Sequence, residues 1–284
     1  MKILYLECNM GAAGDMFMAA LLELLPDREA FLKKLNNLGI PGVKVKMEAA
    51  EKCGIMGTHV SVLIGEAEAE ETSIDVDISK SEHSHGHSHD HDHGHGHDHH
   101  HEHSHEHQLS GMGDIEKTLS TLAVSDKVKK DVLGVYQLIA EAESKAHGRS
   151  VEEVHFHEVG NLDAIADITG ACMLMEELAP EKVFASPVHV GSGFVRCSHG
   201  ILPVPAPATA YILRGIPTHG GRFRAELCTP TGAALLKYFV HDFGPMPVMK
   251  VQSIGYGMGK KDFEAANCLR AFFGEGEGDR YGPK

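Results

Sequence analysis

The segment VHFHEVGNLDAIAD, residues 154–167, sets two imidazoles and three carboxylates within 13 positions. His155 and His157 alternate at i and i+2, so an extended chain presents both on one face. Glu158 adds a carboxylate, and Asp163 and Asp167, at i and i+4, share one face of the helix that follows. This set suits exchangeable binding of a divalent ion or transfer of a proton. The alternative is structural: Asp163 caps or pairs, and the histidines satisfy polar groups of the core.

A second group lies in SPVHVGSGFVRCSHGILPVPAPAT. It supplies His189 as an imidazole donor, and Arg196 and His199 as groups for a phosphate or carboxylate, around Gly191 and Gly193. A tight turn with surface charges is the alternative. A third is ELCTPTGAALL, where Thr229, Thr231 and Gly232 sit at a helix start able to receive an anion; an ordinary N-cap with proline at N1 explains it as well. MGAAGDM is a glycine turn into a helix. It is neither GxGxxG nor a Walker loop, and the chain has no GxSxG element.

Residues 83–107 hold 14 histidines in 25 positions, including His85, His87, His89, His91, His93, His95, His97 and His99. Imidazoles spaced by two on a pliable chain bind Ni²⁺, Zn²⁺, Cu²⁺ or Co²⁺ with little selectivity. Such a segment holds no reacting geometry, so it reads as a reservoir rather than a catalyst. Protonation below about pH 6.5 would release its metal.

These groups need a scaffold. Strand-like KILYLEC leads into helical DMFMAALLELL, for which Asp15 is a candidate cap. Helical REAFLKKLNNLG ends at Gly39 as C′, and VKVKMEA and THVSVLI form a hairpin. Residues 1–65 therefore read as a compact β-α-α-β-β unit. Residues 66–109, acidic and then histidine-rich, read as a disordered insertion. The main portion, 110–274, alternates helices (two broken near Ser125, one through 162–178) with strands, closing on MKVQSIGYG and NCLRAFF. Residues 275–284 read as a disordered tail. The fold class is mixed α/β.

The chain of 284 residues carries 26 basic and 40 acidic side chains, a formal charge of −14. That balance excludes nucleic acid and anionic membranes as main partners and favours cations. Its six cysteines form no CxxC pair, and no run approaches the ~20 apolar residues of a membrane span. A cytoplasmic location is expected.

Taken together, LECNMGAAGDMFMAALLEL, VHFHEVGNLDAIADITG, SPVHVGSGFVRCSHGILPVPAPAT, ELCTPTGAAL and GYGMGKKDFEAANCLR resemble the nickel insertion proteins of nickel-pincer cofactor synthesis (LarC family). The resemblance implies insertion of Ni(II) into pyridinium-3,5-bisthiocarboxylic acid mononucleotide, a lyase-type chelatase reaction making two S–Ni bonds and one C–Ni bond. It implies service to lactate racemase-type enzymes, with an apo pincer-dependent enzyme as a further partner. It also implies CTP with Mg²⁺ or Mn²⁺, bound by a C-terminal family portion expected to lie beyond this chain. Homo-oligomerisation is a further expectation. On this reading His155, His157, Glu158 and Asp163 hold nickel transiently, a histidine or carboxylate takes the displaced ring proton, and Arg196 or the TPTG start holds the phosphate. Two rival readings stay open: a nickel storage or chaperone protein without catalysis, and a zinc-dependent hydrolase built on HFHEVG with Asp163 and Asp167.

Overall fold

The computed structural model describes residues 1–65, 67–69, 73–77, 111–153, 156 and 162–277. Strand β1 (Lys2–Glu7) is followed by helices α1 (Gly14–Leu22) and α2 (Arg28–Asn36) and by strands β2 (Val43–Lys52) and β3 (Ile55–Ile64). Short strands β4 (Ala67–Glu68) and β5 (Ile74–Val76) come next, then α3 (Met112–Thr121), α4 (Asp126–His147) and α5 (Leu162–Leu178). Strands β6 (Lys182–Ala185), β7 (Val188–His189), β8 (Phe194–Cys197) and β9 (Gly200–Pro203) precede α6 (Pro207–Ile212) and β10 (Thr218–His219). Helix α7 (Pro230–Phe239), β11 (Asp242–Phe243), β12 (Met249–Met258) and β13 (Cys268–Gly276) complete the chain.

Among the described residues eight strands form one mixed sheet, ordered β11-β6-β1-β13-β12-β3-β2, with β4 on β3. Strand β1 runs parallel to β6 and antiparallel to β13, so the first strand sits inside the sheet, next to the last. Strands of 1–65 thus interleave with strands of 182–276 over one shared core. The alternation in β1 explains its two faces. Leu4 and Leu6 enter the main core, while Ile3 and Tyr5 pack with Phe184 on the other side. Helix α1 lies directly on β12, β3 and β13 and beneath α5. Helix α4 packs against α5, α6 and α7.

The mixed α/β class, the β-α-α-β-β order, the β2–β3 hairpin and the break between α3 and α4 match the sequence reading. The hairpin turns at Cys53 and Gly54, both with positive φ (53° and 78°), the pairing that suits the twist of a two-residue connection. Three local expectations need correction. Helix α2 ends at Asn36 with Asn37 as its C-cap, earlier than Gly39 suggested, because the chain must turn there to bring Asn36 onto the backbone of Val45. Helix α1 begins at Gly14 with Ala13 as N-cap, so Asp15 lies inside the first turn, where its Oδ1 accepts from the neighbouring Met16 N–H.

The third correction concerns the acidic stretch after β3. Residues 67–69 and 73–77 are not structureless: β4 joins the edge of β3, and β5 joins β8. Composition argued against order because the stretch buries little apolar surface. Pairing to two pre-existing sheet edges and to lysines from β12's far end supplies what local composition lacks. The histidine tract and residues 278–284 lie outside the described residues.

Candidate functional site

A cleft of about 1170 Å³, counting its open mouth, lies where α1, α5 and α7 begin. Asp15 comes from the first turn of α1, Asp163 and Asp167 from α5, Glu226 from the strand-like stretch before α7, and Pro230 and Thr231 from α7 itself. Lys260 and Lys261, from the loop between β12 and β13, line it too. Ala69 and Ser73 form part of its wall from the acidic stretch. One cleft thus gathers four carboxylates and two ammonium groups from segments spread along the whole chain.

The carboxylates at the α5 end are under strain from burial. The Oδ1 atoms of Asp163 and Asp167 are shut off from solvent and have no hydrogen-bond partner. Burial raises the pKa of Asp167 well above the carboxylate range, and the negative charges of Asp15 and Asp163 push it further; Lys260 opposes this. Asp163 is raised as well, by burial first, with backbone N–H groups pulling the other way. Behind them the hydroxyl of Tyr136 is buried without a partner, and burial and these two carboxylates hold it protonated. Glycine at position 14 lets this happen: a Cβ there would come 2.8 Å from Asp167 Oδ2 and 3.0 Å from Thr231 Cγ2. A carboxylate whose pKa is raised in this way is a stronger base once ionised than a solvated one.

Thr229 is the N-cap of α7, its Oγ1 accepting from Gly232 N–H at 3.2 Å, with Pro230 at N1. The sequence reading of this helix start therefore holds in its plainer form, and the same start faces the cleft. Thr229→Ala is expected to cost about 1 kcal/mol, the usual loss for such a cap. In thermal melts that should appear as a drop of a few degrees without loss of the cooperative transition.

Other expected site residues are placed elsewhere. His189 is buried, and both ring nitrogens face backbone carbonyls, Nδ1 to Asn9 O at 2.8 Å and Nε2 to Gly220 O at 3.0 Å. Its ring stacks on His219 at 4.6 Å. A neutral ring donates to only one of these carbonyls, and the two contacts pack His189 between the loops after β1 and β10. Burial, then the neighbouring His189, lowers the His219 pKa. Gly191 approaches protein rather than ligand, since a Cβ there would sit 1.8 Å from Ala225 O. Arg196 and His199 are exposed on β8 and the turn after it, outside the residues that line the cleft, and His199 packs against His147 at 4.7 Å. His155, His157 and Glu158 lie outside the described residues, as do His85 to His99.

Two cleft cations, Lys260 and Lys261, were not singled out from the sequence. Their one signal was a KK pair closing a glycine-alternating strand. Among the described residues no group of three or more His, Cys, Asp or Glu side chains is placed to hold a metal ion. Three of the six cysteines are withdrawn as soft donors. Burial raises the Cys172 and Cys228 pKa values well above the usual thiol range and pushes Cys8 up to about 12, so these three stay protonated thiols. No helix among the described residues is long and apolar enough to cross a membrane.

The fold and the cleft define a class, an α/β protein whose one site offers carboxylates and lysines together. The comparisons make the class specific. The chain belongs to the nickel insertion protein family, whose model matches residues 4–282. It is 43% identical to the pyridinium-3,5-bisthiocarboxylic acid mononucleotide nickel insertion protein of Clostridium kluyveri, over 98% of this chain and 63% of that protein. The protein of that name from Clostridium acetobutylicum is 45% identical over 98% of this chain and 65% of its own length. That of Desulfitobacterium hafniense is 37% identical over 97% and 59%. The chain therefore spans less than two thirds of the length of these curated relatives. No solved structure matches it significantly.

Proposed function

We propose that this chain binds Ni(II) and a pyridinium bisthiocarboxylate mononucleotide in the cleft and inserts the metal, as the names of its relatives describe for them. The observation that carries this reading is the gathering of buried, raised-pKa carboxylates and a lysine pair in one cleft. Insertion at carbon replaces a ring C–H by C–Ni and releases one proton, while the two thiocarboxylate sulfurs bind the same nickel. A base must take that proton, and Asp167 and Asp163 are poised for it by burial. His155, His157 and Glu158 precede α5 in the chain and are proposed as the exchangeable ligands on which nickel arrives, harder than the sulfurs to which it leaves. The histidine tract is a reservoir. CTP with Mg²⁺ or Mn²⁺, the cytoplasm as location, and an apo enzyme of the lactate racemase type as recipient complete the proposal.

The chain is to be mixed with the precursor and Ni(II), with and without CTP and Mn²⁺. A gain of one nickel on the small molecule, with loss of its ring C–H signal in NMR, is the expected result. Nickel retained by the protein with the ring C–H intact would favour a storage or chaperone role instead. Deleting 83–107 is expected to leave the rate unchanged at saturating nickel and to lower it several-fold at limiting nickel. A loss at both concentrations would make the tract part of the reaction.

A further inference from the structure

The two cleft lysines are held by carboxylates that come from one short stretch of chain. Lys260 Nζ pairs with Glu68 at 2.8 Å and lies 3.4 Å from Ala69 O. Lys261 Nζ pairs with Asp75 at 2.7 Å. Residues 67–69 and 73–77 form a strap anchored on β3 by β4 and on β8 by β5, and Ala69 and Ser73 line the cleft beneath. The strap is stitched down further where Ser73 Oγ donates to Glu226 Oε2 and Glu226 N–H donates to Asp75 Oδ1, both at 2.8 Å. All other charged side chains that line the cleft, Asp15, Asp163, Asp167 and Glu226, are acids.

We propose that Lys260 and Lys261 form a phosphate-binding pair, and that Glu68 and Asp75 occupy it as place-holders which the phosphate of a pyridinium mononucleotide displaces. This rests on the mononucleotide reading given above and adds its orientation and its competitor. A phosphate monoester near pH 7 carries close to two charges and three acceptor oxygens, so it reaches both ammonium groups at once. Each carboxylate reaches one. The Lys260–Glu68 pair is open to solvent, with the two side chains 32% and 47% exposed, and such pairs add little stability that a ligand must overcome. Asp163 and Asp167 repel the phosphate, so the proposed orientation puts the phosphate at the lysines and the ring toward α5. The first turn of α7 lies along the same cleft, with its N–H groups and dipole favouring an anion.

The test uses the full chain without nickel, and nicotinic acid mononucleotide as probe, with nicotinic acid riboside as the phosphate-free control, both followed by calorimetry. The wild type is expected to bind the mononucleotide and to bind the riboside at least about tenfold more weakly, the equivalent of one good charged contact. Lys260→Ala and Lys261→Ala should each abolish most of that preference, and Lys261→Arg should keep it. Glu68→Gln is expected to tighten the mononucleotide several-fold with the riboside unmoved. Asp75→Asn should do the same, with a melt to establish that the strap's inner anchor survives. If the wild type fails to prefer the mononucleotide, or Lys260→Ala and Lys261→Ala retain the preference, the proposal is overturned. If Glu68→Gln weakens binding or leaves it unchanged, the carboxylates are struts and the place-holder mechanism is wrong. Because no nickel is present, these results stand or fall apart from nickel insertion itself.

Discussion

Asp167→Asn is expected to melt several degrees above the wild type at pH 7.5 and to lose at least about 100-fold in nickel insertion, the usual weight of a positioned base. The two effects have one cause. Asp167 is ionised only at the expense of burial and of the nearby charges of Asp15 and Asp163, which is why its pKa is raised. A carboxyl whose folded pKa exceeds its unfolded value of about 3.9 loses stability for the fold as pH rises between the two. Below that window both states are protonated and the group contributes nothing. The stability gain of the variant should therefore vanish near pH 4, open as pH rises and level off above the folded pKa. Thermal melts across that range measure it. A variant that is less stable than the wild type at every pH would mean that the carboxylate is satisfied in the folded protein. An amide nearly identical in shape can also donate to the neighbouring carboxylates, which the ionised form cannot.

Gly257→Ala is expected to be among the more damaging single methyls in the protein. A Cβ at 257 would sit 1.9 Å from Met16 O and 2.7 Å from Ala20 N, and these are backbone atoms that have no rotamer to escape into. Helix α1 would have to lift from β12, carrying Gly14 and Asp15 away from the cleft. Overpacking of this kind costs about 1–3 kcal/mol where side chains can adjust, and more where backbone must move. A cooperative transition lowered by roughly 10 °C, or insoluble protein, is the expected measurement. Gly113→Ala is the matched control. Gly113 lies exposed in α3 with nothing within 4 Å of a Cβ, so the same methyl should stabilise by about 0.5–1 kcal/mol through helix propensity. Equal melting temperatures for both variants would place α1 further from the sheet than described.

How far the site could be read in advance depended on sequence distance. Asp163 and Asp167 were visible because i and i+4 on a helix is a local relation. Thr229 was visible because capping is local too. Asp15 was taken for a cap because its partners, Asp163 and Asp167, lie some 150 residues away and no local pattern joins them. Lys260 and Lys261 were not singled out for the same reason, their partners being Glu68 and Asp75. His189 had the right residue type among glycines, but its two nitrogens face carbonyls of loops at 9 and 220, which spacing does not reveal. At fold level the periodicities of α1, α4 and α5 and the hairpin were legible. The insertion of β1 between β6 and β13 was not, since register across such separations is set by packing and not by neighbours.

That position of β1 also imposes an order on synthesis. The strand leaves the ribosome before every other strand of its sheet, yet one of its two neighbours, β13, is made some 260 residues later. At about 5–20 residues per second, roughly 13–50 s pass before both edges of KILYLE can be covered. During that interval an apolar strand with open edges is exposed to pairing with other nascent chains. Folding yield, more than final stability, is where this topology makes the protein vulnerable, and slower translation would widen the window.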